Sequence, residues 1–140
     1  MPAHSFKIYP KRKLISIQWT FAPSIQDWYD VTDRILEHPD YQPGMRMIAY
    51  RRGTLPPITS DHVRQVLALL ERRSGRMQPV VLAIVAPGPC DFGMARMMET
   101  LSETASIVVR AFRRPREAIE WLKDPVRYDH YNRVSRMIRA

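Results

Sequence analysis

The spacing of hydrophobic and polar positions changes period several times along the chain, and each change marks an element. Phe6-Lys7-Ile8-Tyr9 alternates with period two. Pro10-Lys11-Arg12-Lys13 reads as a turn, and Leu14 to Trp19 as a β-rich run, so the chain opens on a hairpin. From Pro23-Ser24 the period becomes helical: Ile25, Trp28, Val31, Ile35 and Leu36 recur on one face, and Asp27 sits in the first turn, where negative charge suits the helix dipole. His38-Pro39 ends that helix, because a residue before proline is pushed out of the helical region.

After the loop Tyr41-Gln42-Pro43-Gly44, Met45 to Tyr50 is an apolar strand. Arg51 to Pro57 is a second loop. Thr59-Ser60-Asp61 starts a helix with a stripe of Val63, Val66, Leu67 and Leu70, and Ser74-Gly75 is expected to stop it. Val80 to Ala86 is apolar at every position, as in a strand covered on both faces, and is expected to be central in the sheet. Pro87-Gly88-Pro89 breaks it. The next helix is expected from Phe92 to Glu103 with Met94, Met97, Met98 and Leu101 on its apolar side. Ser106 to Phe112 is the last strand, and Arg116 to Lys123 a helix with Ala118, Ile119, Trp121 and Leu122 inward. Asp124-Pro125 ends it, and Val126 to Ala140 reads as a weak amphipathic tail helix. The order β-β-α-β-α-β-α-β-α predicts an α/β domain over residues 1–124: a mostly parallel open sheet with an N-terminal antiparallel hairpin strand and about four helices, followed by a basic amphipathic tail, 125–140.

The 140 residues suit one hydrophobic core. The single cysteine, Cys90, forms no internal disulfide and fits a reducing compartment. Met1 to Ser5 has no apolar core of a signal peptide, and no apolar run is long enough to span a bilayer, so the expected location is cytoplasmic. The net charge of +8 is unevenly placed: residues 1–13 carry +4, residues 110–140 carry +5 and the stretch between them −1. Basic ends attract anions of any kind.

Several local phrases taken together resemble the small bacterial SpoIIAA-like (STAS, SEC14-like) proteins. They are His38-Pro39-Asp40-Tyr41 with Pro43-Gly44-Met45, Ala83 to Pro87 with Phe92-Gly93-Met94-Ala95-Arg96, and Val109 to Phe112 followed by Glu117 to Leu122. The resemblance covers roughly residues 5 to 123. It implies the SpoIIAA-like fold and a habit of binding. Anti-sigma-factor antagonists of the wider family carry a phosphorylated Ser or Thr in an Asp-Ser-Ser-Gly-like turn. Here the corresponding stretch is Arg51-Arg52-Gly53-Thr54-Leu55-Pro56-Pro57-Ile58-Thr59-Ser60, which lacks that motif. Thr59 and Ser60 are therefore read as helix caps and not as phosphoacceptors.

In an open parallel sheet, ligands bind outside the carboxyl ends of the strands. Arg51 and Arg52 follow one strand, Arg113 and Arg114 another, and Arg96 lies in the helix between them. These five are the candidate anion contacts. Cys90 has no sequence-adjacent histidine or second cysteine, and His4, His38, His62 and His130 show no metal-ligand spacing and are expected at the surface. No phosphate loop, nucleophile elbow or paired-carboxylate signature is present. Trp19, Trp28 and Trp121 fall in core patterns, which argues against a base-stacking surface and hence against nucleic acid. The expectation is a non-enzymatic regulatory or interaction module without a cofactor or metal. It would bind an acidic protein or a small anionic ligand. A peripheral membrane or lipid-binding domain is the alternative, and the tail is free to dock on its own domain, on a second copy as a homodimer, or on an anionic membrane.

Overall fold

A computed structural model of the chain describes residues 4–20, 22–51, 59–77, 80–103 and 107–123. It is an α/β fold built as β1 (His4–Tyr9), β2 (Leu14–Trp19), α1 (Ile25–Glu37), β3 (Arg46–Arg51), α2 (Ser60–Met77), β4 (Val80–Val85), α3 (Pro89–Ser102), β5 (Ile107–Phe112) and α4 (Pro115–Leu122). The expected order of strands and helices is the observed one. The tail, 125–140, lies outside the described residues.

The strands lie side by side in chain order. β1 pairs antiparallel with β2, and β2 to β5 are mutually parallel. A short 3-10 turn over Pro10–Arg12 joins the hairpin, closed by Lys13 in the left-handed region (φ 52°) with its N–H donating to the Pro10 carbonyl. β4 is buried at all six positions, as its composition required. It is an interior strand flanked by β3 and β5; the middle one of the five is β3.

Right-handed crossovers that step in one direction put their helices on one face of a sheet. Accordingly α1, α2 and α3 share a core with the inward residues of β2, among them Ile15, Ile17 and Trp19, and with Leu82 and Val109. Among the described residues α4 is the helix on the other face: Ala118, Trp121 and Leu122 pack on Ile48, Val81, Ala83 and Val85. Both faces of β4 are thus enclosed, whereas β2 is buried at alternate positions only.

Local chemistry sets the helix starts. Ser24 and Asp27 form a capping box, with Asp27 N–H to Ser24 Oγ at 3.1 Å and Ser24 N–H to Asp27 Oδ2 at 2.8 Å. At α2 the capping hydroxyl is that of Thr59, which accepts from His62 N–H at 3.1 Å.

Three details depart from the sequence expectation. α2 does not stop at Ser74-Gly75 but runs to Met77, a core residue whose burial outweighs the local glycine. α3 begins at Pro89, three residues before Phe92, and it buries Ala95, Met98 and Ser102 while Met94 and Met97 are half-buried and Leu101 is exposed. Small Ala95 and Ser102 let the helix sit close to the sheet, which turns Leu101 outward. Ile119 of α4 is 46% exposed, because only the line through Ala118, Trp121 and Leu122 meets the sheet.

Candidate functional site

Because β2 to β5 are parallel, their carboxyl ends share one edge, and the starts of α2, α3 and α4 lie just beyond it. Arg51 is the last residue of β3. Its Nε donates to Asp91 Oδ2 at 2.9 Å, and the two side chains are only 7% and 17% exposed. Asp91 stands in the first turn of α3, where its charge also favours the helix dipole. From the other side Arg113, just past β5, holds its guanidinium 4.8 Å from the centre of the Phe92 ring. Two arginines from two strand ends therefore grip one helix turn. Gly88 at the N-cap supplies no side chain, and Pro89 at N1 has no N–H.

The five arginines expected to act together separate into different environments. Arg51 is engaged with Asp91. Arg96 lies midway along α3 and turns to Glu99, Nη1 to Oε2 at 3.3 Å, so it points along its own helix. Glu99 also receives Arg110 Nε at 3.3 Å. Arg113 and Arg114 are exposed at the start of α4, and neither has a carboxylate partner among the described residues. Arg52 lies outside the described residues. Thr59 is spent on capping, and Ser60 is the first residue of α2.

Beneath this edge lies a cavity of about 40 Å³ lined by Trp19, Trp28, Arg51, His62, Met94 and Met98 among others. That is room for a water molecule or a small alkyl group. The two indoles are tilted by 50° with centroids 5.0 Å apart. Trp28 Nε1 is buried with no hydrogen-bond acceptor among the described residues. His62, expected at the surface, is half-buried here, and its pKa is lowered, first by burial and then by the nearby Arg51 charge. The imidazole is therefore held neutral at pH 7.

Asp91, His62 and the tryptophan pair are the members that sequence reasoning missed. Asp91 had a signal: an acid in the first turn of a helix that starts beside the end of β3. His62 flanks the apolar stripe of α2, four residues before Val66, which places it between core and surface. Cys90 is exposed next to Asp91. Among the described residues no group of three His, Cys, Asp or Glu side chains is placed to hold a metal ion, and no helix is long and apolar enough to cross a membrane.

Compared with known proteins, the chain matches no family model, and no curated protein matches it.

Proposed function

We propose that this chain is a regulatory or interaction module of the SpoIIAA-like kind that binds an acidic protein or a small anionic ligand at the carboxyl ends of its strands, without catalysis. The observation that carries the reading is the pair of exposed arginines with no carboxylate partner among the described residues: Arg113, which lies over Phe92 in the first turn of α3, whose N-cap offers no side-chain hydrogen bond, and Arg114, the N-cap residue of α4. Arg51 serves a different purpose from theirs. Neutralised by Asp91, it fixes the helix start against which an anion would rest. Backbone N–H groups at a helix start and free guanidiniums both favour negative charge. The order of strands and helices is what the SpoIIAA-like resemblance implies, and that supports the reading.

A titration of the full chain by two-dimensional amide NMR, with inorganic phosphate and with a capped tetraglutamate peptide as probes, tests it. Shifts are expected around Cys90, Asp91, Arg113 and Arg114. The Arg113→Glu, Arg114→Glu double variant is expected to weaken binding about tenfold or more, with the effect fading at high salt. Unmoved amides along that edge with both probes would overturn the reading.

A further inference from the structure

The opposite edge of the sheet, where the parallel strands begin, carries a second and independent feature. On the face covered by α4, a groove of about 390 Å³ is lined by Arg12, Leu14, Arg46, Ile119, Leu122 and Lys123. It is left where α4, with only eight residues or about 12 Å of helix, packs chiefly on β3 to β5, so that among the described residues no helix is centred over β1 and β2 on this side. Leu14, Ile119 and Leu122 form its apolar floor, and Ile119 is one of the two large hydrophobic side chains that the described core leaves exposed. The groove wall is fixed in place: Arg46 Nη1 donates to the carbonyls of Leu122 and of Lys123, the latter at 2.9 Å, and so closes the end of α4.

We infer that this groove is a docking site for an acidic amphipathic segment of a partner protein. Its rim carries three cations, Arg12, Arg46 and Lys123, and exposed Lys11 and Lys13 flank Arg12. Glu120 offsets one of these charges by pairing with Lys123 at 3.0 Å. A cationic rim around an aliphatic floor is complementary to a segment that presents an apolar side chain between carboxylates. The chain's own residues 124–140 have the wrong sign for it, with four arginines against two aspartates. A lipid surface fits less well, since Leu14 and Leu122 line a concavity that a flat bilayer does not enter. Because the groove lies at the amino ends of the strands, it stands or falls apart from the carboxyl-end site.

The test uses the full chain and a fluorescent twelve-residue peptide, (Leu-Glu-Glu-Leu-Leu-Glu)₂, followed by anisotropy, with the same peptide carrying Lys for Glu as its control. Binding of the acidic peptide alone is expected, with amide shifts at Leu14, Ile119 and Lys123. Arg12→Glu and Ile119→Ser, both at exposed positions, are each expected to weaken it about tenfold while the circular dichroism and melting temperature stay those of the parent. Arg46 is left unchanged because it caps α4. Four results would overturn the inference: no binding of the acidic peptide, equal binding of the basic one, binding only to vesicles containing phosphatidylserine, or a dimer by sedimentation that buries Ile119.

Discussion

Gly75 sits inside α2, and nothing lies within 4 Å of where a Cβ would stand. A glycine in a helix interior costs roughly 0.5–1 kcal/mol relative to alanine through the freedom it retains when unfolded. Gly75→Ala is therefore expected to raise the unfolding free energy by about that much, read from the urea midpoint. The sequence reading ended the helix here because Ser-Gly is a common stop. It continues because partners distant in sequence take up its last carbonyls: Tyr41 Oη donates to the Arg76 carbonyl at 3.3 Å and Gly44 N–H to that of Met77 at 3.3 Å, with Gly44 at φ 86°.

His62 gives a second prediction at this scale. Its folded pKa lies below its ordinary value, so in the window below about pH 6.5 the unfolded chain takes up a proton that the native protein resists. Stability should be full above that window and fall as pH drops through it. His62→Gln should remove that slope in a series of melting temperatures against pH. A slope unchanged in the variant would assign it to other groups.

At the level of elements, the last strand shows how an open sheet edge is managed. β5 is an edge strand, rich in Ile and Val, of the kind that invites pairing with another chain. Its Ala111 N–H, turned away from β4, donates to Glu99 Oε1 of α3 at 3.3 Å. The same carboxylate holds Arg96 and Arg110, so one side chain joins helix and strand and occupies a donor on the free edge. Glu99→Ala is expected to cost about 1–3 kcal/mol and to cause concentration-dependent association in sedimentation, whereas Glu99→Gln, which keeps an acceptor, should lie between it and the parent. The elements themselves were legible in advance, because a Pro or Gly follows each strand within four residues and the period switches from two to three or four. The rotation of α3 was not. Met94, Met97, Met98 and Leu101 make a plausible stripe, and only contact with the sheet shows that Ala95, Met98 and Ser102 face inward.

Over the whole molecule, the fold was readable while the site was only partly so, for one physical reason. Strand and helix patterns are local. The Arg51–Asp91 pair joins residues 40 positions apart, and the Arg113–Phe92 contact joins a strand end to a helix begun before that strand. A rule about parallel sheets placed Arg51, Arg113 and Arg114 at the carboxyl-end edge, where they lie. It carried no information on which arginines meet a carboxylate on the way, and so it included Arg96.

The strand order has a consequence for assembly. Since every strand lies against the one made just before it, no strand waits for a later segment to fill a place between its neighbours. The sheet can grow in the order of synthesis, each β-α step docking on a finished edge, with loops to close that are only as long as one crossover. Of the described helices α4 comes last, and until it arrives no described helix lies over Ile48, Val81, Ala83 and Val85. In a nascent chain its eight residues would be the latch: the step that takes these four side chains of a sheet with one greasy side out of water.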